Sequence, residues 1–262
     1  YTHNSTGYRN SEIEAKAGKT RVAAIGASTT YGIGVNDHET WPYFLDSLLG
    51  AEYEVINLGV PGYSSVEHLI QASLYLDSLK PDMVQLHMGL NDLRNSHVKN
   101  MQSDYSNFHA PTLYASFDLC FLQRLPQLAT IRYVVRFFQE VGWYPVWLFH
   151  QTSFKGERKN SIDKKVLNNY SRNLQKIVLQ LIENDIQVFL IPQTINEKKY
   201  ISEGYAWWIP FIEPAAIGQH YATFNNEMGV LADDSTFRGE VTYCSKIGQY
   251  NWKAEDFCDA VH

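Results

Sequence analysis

The hydrophobic positions of the first ninety residues alternate between short continuous apolar runs and longer stretches with helical spacing. Each short run ends in a glycine or a polar turn, which is typical of a buried parallel strand. Strands are therefore predicted over residues 21–26, 54–58 and 82–88, with helices over Trp41–Leu49 and Ser65–Leu79. Strands that alternate with helices in this way predict a parallel, doubly wound sheet with right-handed crossovers.

The second half of the chain continues the same pattern after an interruption. Helices are predicted over residues 164–183 and 219–228, and strands over residues 186–191 and 229–232. Residues 95–156 do not fit a minimal α/β unit and are interpreted as an insertion near the functional site, not as a separate domain. The predicted fold is therefore one domain over residues 1–262, a three-layer α/β/α arrangement with a mostly parallel sheet of about five strands.

Composition narrows the possible partners. The net charge is −6 and no run of Lys or Arg is present, which argues against nucleic acid as a binding partner. No stretch reaches the roughly 18 apolar residues that a membrane-spanning helix needs. Cys120, Cys244 and Cys258 do not form a metal motif, and they leave the compartment undecided. Because the chain starts at Tyr1 without a Met, we expect it to be a piece of a longer product. That longer protein could be extracytoplasmic or anchored to a membrane. The sequence does not indicate an oligomeric state.

Candidate chemistry lies where the first three predicted strands end. Ser28, Gly62 and Asn91 follow these strands in turn. In open parallel sheets, ligands bind outside the carboxyl ends of the strands, so we expect the three residues at one edge. A serine hydroxyl at a helix start sits near unpaired N–H groups. A glycine can present its backbone N–H, and an asparagine amide can donate to an oxyanion.

Each of these residues has a simpler explanation when it is taken alone. Ser28 could be an N-cap, Gly62 a plain turn residue and Asn91 a loop asparagine. Asp259 and His262, in the sequence DAVH, could be a carboxylate that orients an imidazole base, although this spacing is frequent by chance. His87 lies on a predicted buried strand, and we interpret it as a hydrogen-bonded structural histidine.

Taken together and in order, four segments resemble the SGNH/GDSL hydrolase superfamily. They are GAST at 26–29, NLGVPGYSS at 57–65, GLND at 89–92 and DAVH at 259–262. HNSTGYR at 3–9 is similar to a segment that precedes the first strand in many bacterial members. Where the family usually has Gly-Asp-Ser, this chain has Ala27 in place of the aspartate.

The resemblance implies a flavodoxin-like fold and an esterase that uses a serine nucleophile. It implies Ser28 as nucleophile, His262 as general base and Asp259 as its orienting carboxylate. It also implies an oxyanion hole made by the Ser28 N–H, the Gly62 N–H and the Asn91 side chain, and no metal or cofactor.

Three functions are compatible with this set of residues. The first is hydrolysis of a small-molecule or glycan ester, such as an O-acetyl group on a carbohydrate. The second is acyl transfer to a glycan hydroxyl, which would use the same triad. The third is a catalytically weak carbohydrate-binding module, against which the complete set of five residues argues.

Overall fold

The computed structural model describes residues 1–95, 101–105, 158–202, 209, 212–237 and 239–253. Its five parallel strands form one sheet in the order β2-β1-β3-β4-β5. The strands are β1 (Thr20–Gly26), β2 (Tyr53–Asn57), β3 (Met83–His87), β4 (Gln187–Leu190) and β5 (Val241–Tyr243). The parallel, doubly wound sheet predicted from the hydrophobic pattern is confirmed.

Helices connect the strands in the described part of the chain. They are α1 (Ser28–Tyr31), α2 (Trp41–Leu49), α3 (Ser65–Leu79), α4 (Leu90–Arg94), α5 (Lys164–Ile182), α6 (Glu197–Ser202), α7 (Ile217–Asp233) and α8 (Ser245–Gln249). The predicted bounds of α2 and α3 agree with the structure at both ends. Helix α5 packs against both α3 and α7, whereas α2 packs against β2.

Strand β1 lies in the interior of the sheet, between β2 and β3, and contributes to the hydrophobic core. Residues Val22 to Ile25 of this strand are at most 2% exposed. A strand that is covered on both faces must be apolar along its whole length. This explains why the sequence of β1 is a continuous apolar run without alternation.

One predicted strand is wrong. Residues 229–232 were expected to form the fifth strand, but they belong to the last turns of α7. An apolar run this short does not distinguish a strand from a helix, and here it continues the helical stripe of Phe224 and Met228. The observed fifth strand, Val241–Tyr243, has only three residues and lies at the edge of the sheet, so its sequence signal is weak.

The strand order reverses direction at β1. The chain leaves β1 toward β2 on one side, and then crosses over to β3 on the other side. Right-handed crossovers place α2 and α3 on opposite faces of the sheet. Such a reversal opens a crevice at the carboxyl ends of the two central strands. Ser28 begins just after β1 and Asn91 soon after β3, so both flank this crevice.

Several predictions fall outside the described residues. They concern most of the insertion at 95–156, and also Cys120, Cys258, Asp259 and His262. Among the described helices, none is long and apolar enough to cross a membrane.

Candidate active site

Ser28 is the first residue of the single-turn helix α1. Ala27 precedes it as the N-cap and supplies no side-chain acceptor to the helix start. The Ser28 side chain is partly exposed, and neither its hydroxyl nor its N–H is hydrogen-bonded to another described residue. The first N–H groups of any helix lack partners within the helix. Ser28 therefore presents a hydroxyl and a backbone donor from the same residue.

The turn that carries Ser28 is packed closely against its neighbours at two glycines. A Cβ added at Gly26 would lie 2.0 Å from Thr30 Oγ1 and 2.7 Å from the His87 carbonyl. A Cβ added at Gly59 would lie 2.2 Å from the Tyr31 backbone nitrogen. Neither site has room for a side chain, so the loop after β2 is in direct backbone contact with α1.

Gly62 lies in a tight turn of that same loop. The Tyr63 N–H donates to the Val60 carbonyl at 3.3 Å, which places Pro61 and Gly62 in the centre of the turn. Gly62 has a φ of +87°, as the third position of a type II turn requires. A Cβ added there would have no atom within 4 Å, and the Gly62 N–H has no hydrogen-bond partner in the described segments. The backbone at Gly62 is thus open to an incoming group.

Asn91 is buried and its amide is held in one orientation. Its Nδ2 donates to the Tyr63 carbonyl at 2.8 Å. Because that partner is an acceptor, it identifies the NH₂ end of the amide. The same NH₂ has a second N–H. The contact connects the loop after β3 to the loop that contains Gly62.

Asp92 connects these two loops a second time. Its carboxylate accepts hydrogen bonds from the Ser65 N–H at 2.9 Å and from the Ser65 hydroxyl at 2.5 Å. Asn173 Nδ2 donates to the Ser65 hydroxyl at 2.9 Å and to the Tyr105 hydroxyl at 3.0 Å. Burial raises the pKa of Asp92 to about 7, although the Ser65 hydrogen bonds act in the opposite direction. This buried network supports the segment that includes Asn91.

His87 lies beneath the Ser28 turn as a structural group. Its Nδ1 is 3.3 Å from Thr30 Oγ1, and its ring makes an edge contact with Trp41 at a centroid distance of 6.3 Å. Burial, together with nearby His68, lowers the pKa of His87 to about 4. The ring is therefore neutral near pH 7. It contacts Thr30 and not Ser28, which agrees with the hydrogen-bonded structural histidine expected from the sequence.

The structure thus brings the loop of Gly62 into contact with both the Ser28 turn and the segment of Asn91. Asp259 and His262 lie outside the described residues, so their part in the site stays a prediction. Over the described segments, no group of three or more His, Cys, Asp or Glu residues could hold a metal ion. The arrangement offers a hydroxyl, two backbone N–H groups and an amide, which are group types that serve as nucleophile and oxyanion donors in acyl transfer.

Two supporting residues were not predicted from the sequence. Arg9 belongs to the HNSTGYR segment, but its sequence gives no sign that it contacts the backbone after Ser28. Asn173 had a detectable signal, because it is a polar residue on the apolar, buried stripe of α5. A polar residue at such a position needs a hydrogen-bond partner, and here the partner is Ser65.

Comparison with known proteins agrees with this fold. Residues 24–209 match the family model of the GDSL-like lipase/acylhydrolase family. The match covers well over half of the chain, and the chain belongs to this family of carboxylic ester hydrolases. No curated protein sequence matches the chain.

Solved structures of esterases are similar to the chain at low sequence identity. AlinE4, an SGNH-hydrolase family esterase, is 15% identical with a TM-score of 0.50, and the alignment covers 95% of this chain and 88% of AlinE4. A GDSL-like lipase from Bacteroides thetaiotaomicron is 13% identical with a TM-score of 0.44, and the alignment covers 86% of this chain and 67% of the lipase. The psychrotrophic esterase EstA from Pseudoalteromonas sp. is 11% identical with a TM-score of 0.43, and the alignment covers 86% of this chain and 77% of EstA. The similarity to AlinE4 agrees with the fold.

Proposed function

We propose that this chain cleaves a carboxylic ester through an acyl-enzyme formed on Ser28. In this proposal His262 is the general base, Asp259 orients it, and the Ser28 N–H, the Gly62 N–H and the Asn91 amide form the oxyanion hole. The observation that supports it most is the interlocking of the three loops. Gly59 contacts the Ser28 turn, and Asn91 donates to the Tyr63 carbonyl beside Gly62.

The reaction proceeds in two halves. In the first, the Ser28 oxygen attacks the ester carbonyl carbon while His262 takes the hydroxyl proton, and the oxyanion forms against the three donors. The intermediate collapses, the bond to the alcohol oxygen breaks, and His262 returns the proton to that oxygen. In the second half, water attacks the acyl-enzyme while His262 takes its proton. The bond between the acyl carbon and the Ser28 oxygen then breaks, His262 returns the proton to that oxygen, and the acid is released.

For the substrate we propose a short acyl ester, such as an O-acetyl group on a carbohydrate. The support is compositional, because the chain has 17 Tyr and 6 Trp, whose rings can stack on sugar faces. We also propose that residues 95–156 form an insertion beside the site within a single domain over residues 1–262.

A fluorophosphonate probe tests the central claim, since it labels only an activated serine. Wild type should be labelled and should hydrolyse a short-chain ester, whereas Ser28→Ala should do neither and keep its melting temperature. Ser73→Ala is the matched control, because Ser73 lies on the exposed face of α3 and its hydroxyl, among the described residues, contacts only the Leu69 carbonyl and the Gln180 side chain. Turnover by Ser28→Ala near the wild-type rate would refute the proposal.

The same protein can distinguish the other two functions. Acetate release should be independent of an added glycan acceptor if water is the natural acceptor. A rise in acyl release together with acylated glycan would identify a transferase. Absence of both labelling and turnover on a panel of acyl donors would identify a binding module.

A further inference from the structure

Helix α1 cannot be held in place by its own hydrogen bonds. It has four residues, and a single isolated turn is unstable in water because nucleation fixes several residues for one hydrogen bond. Gly26 and Gly59 pack against its residues Thr30 and Tyr31. The chain beyond its end, from Gly32 to Asp37, has no regular structure until a short 3-10 turn begins at Asp37. The position of Ser28 therefore depends on what binds this following segment.

Arg9 binds that segment through its whole guanidinium group. One terminal nitrogen donates to the carbonyls of Tyr31 at 3.0 Å and Gly32 at 2.5 Å, and the other donates to the Val35 carbonyl at 2.7 Å. Its Nε pairs with Asp37 at 2.6 Å. The Arg9 side chain is only 1% exposed, so these are its contacts in place of water.

The geometry of this contact requires an arginine. A planar fork can serve three carbonyls and a carboxylate at once, whereas a lysine ammonium is a compact point charge. The guanidinium also lies over the Tyr1 ring, 4.1 Å from its centroid, and 5.2 Å from the centroid of Tyr31. Contact between a planar, delocalised cation and an aromatic face is a further property of arginine that a lysine ammonium does not reproduce in the same geometry.

The segment that carries Arg9 is itself anchored. Asn4 closes a turn by accepting from the Tyr8 N–H through its side chain at 2.9 Å. Asn10 exchanges two hydrogen bonds with the backbone of Asn57, at 2.8 and 3.1 Å, at the carboxyl end of β2. Arg9 is therefore fixed to the same strand end from which Gly59 follows.

We propose that Arg9 is a positioning residue for the reaction, which holds the backbone after Ser28 so that the hydroxyl and N–H of Ser28 keep their reactive placement. This inference rests on the proposed function, because it concerns the reactivity of Ser28. Arg9 itself touches no reacting atom, and it acts through the carbonyls of Tyr31, Gly32 and Val35.

The test compares Arg9→Lys and Arg9→Ala with Arg21→Lys. Arg21 is an equally buried arginine, 4% exposed, which pairs with Glu54 and two backbone carbonyls at the opposite end of β1. The variants at both arginines should have lower melting temperatures than wild type. Only the Arg9 variants should lose kcat and the rate of fluorophosphonate labelling, by about 10²-fold with little change in KM, as for a misplaced reacting group. Millimolar methylguanidine should restore part of the labelling rate of Arg9→Ala and of no other variant.

Asp37→Ala is a second, milder variant in case the Arg9 variants do not fold, because the Asp37 side chain is 41% exposed. It should lower the labelling rate in the same direction by a smaller factor. A folded Arg9→Lys protein with wild-type kcat and labelling rate would overturn the role of Arg9. If Arg9→Lys does not fold, the same result in Asp37→Ala would overturn it. In either case the proposed function would stand as long as Ser28→Ala is inactive. Turnover by Ser28→Ala would instead overturn the proposed function, whatever the Arg9 variants do.

Discussion

The two ends of the sheet use the same interactions for different purposes. At the amino end, Arg21 pairs with Glu54 at 2.7 Å and donates to the carbonyls of Leu79 and Glu14, so it connects two strand starts to the end of α3. Asp82 there accepts from the Arg21 N–H at 2.7 Å. At the carboxyl end, Arg9 makes a similar set of contacts with the segment after Ser28.

The difference lies in which groups remain unpaired. At the amino end the charges and carbonyls around the buried Arg21 satisfy one another, and the result is a scaffold. At the carboxyl end, the Ser28 and Gly62 N–H groups have no partner among the residues described, although the chain around them is tightly packed. Unpaired donors held by a rigid surrounding are what preorganised stabilisation of a developing charge requires. Substitutions at the two ends should therefore separate stability from activity.

The largest effect is expected from a matched pair at the two ends of β3. Asn91→Ala should lower kcat by roughly 10²–10³-fold with little change in KM, because it removes a donor used mainly in the transition state. Asp82→Ala should lower the free energy of unfolding by about 1–3 kcal/mol, since it leaves a buried Arg21 N–H unpaired, and leave kcat unchanged. Steady-state kinetics and urea unfolding measure both. An Asn91→Ala protein that changes only KM would reassign Asn91 to substrate binding.

The next effect is expected from two glycines at the ends of β2. Gly59→Ala should lower kcat by about 10²-fold, because its Cβ would push against the Tyr31 nitrogen and displace the Ser28 turn. Gly50→Ala meets no atom within 4 Å and strains only a φ of +81°. It should cost about 1–3 kcal/mol of stability without a loss of kcat. Equal kcat in the two folded variants would show that the backbone contact at Gly59 does not position Ser28.

A smaller effect concerns how stability depends on pH at the carboxyl end. Burial lowers the pKa values of His68 and His87 to about 4, below their unfolded value, so each contributes stability that is lost as pH falls from about 6.5 to 4. The pKa of Asp92 is raised by burial to about 7. Between about pH 4 and 7 the unfolded carboxyl is ionised and the folded one is not, so Asp92 makes stability fall as pH rises.

Replacing Asp92 should therefore steepen the pH dependence. Asp92→Asn removes the negative contribution and keeps the two histidines, so stability should rise more steeply between about pH 4.5 and 6.5, by up to about 1.4 kcal/mol per pH unit. Urea unfolding of both proteins over this range gives the difference directly. A constant difference between wild type and variant at every pH would contradict the raised pKa of Asp92.

Local signals explain why some elements were predicted correctly. Helix α3 begins after a capping box between Ser64 and Glu67, and α2 has Pro42 in its first turn after Thr40, so the start of each is marked in the sequence. The three strand-end loops followed from the rule for parallel sheets. Ser28, Gly62 and Asn91 were chosen as candidates because a hydroxyl, a glycine and an amide follow three consecutive strands, one after each strand.

The remaining features depend on contacts that leave no local signal. Arg9 binds backbone carbonyls 22 to 26 residues away, and any sequence supplies such carbonyls. Gly59 is required by its distance to Tyr31 and not by its own φ, so nothing nearby in the sequence distinguishes it from a turn glycine. The three-residue strand β5 is fixed by pairing with β4, and its own apolar pattern is too short to identify it.

The smallest effect is expected at the exposed rim of the amino end. Lys16 pairs with Asp82 at 2.6 Å, but their side chains are 31% and 41% exposed, and water and salt weaken such a pair. Lys16→Gln should lower the free energy of unfolding by less than about 1 kcal/mol, with a difference that shrinks at high salt, and leave kcat unchanged. Asp82 keeps its hydrogen bond from the Arg21 N–H in this variant, so the scaffold stays connected. A loss as large as that of Asp82→Ala would mean that the surface pair, and not the buried hydrogen bond, stabilises the amino end.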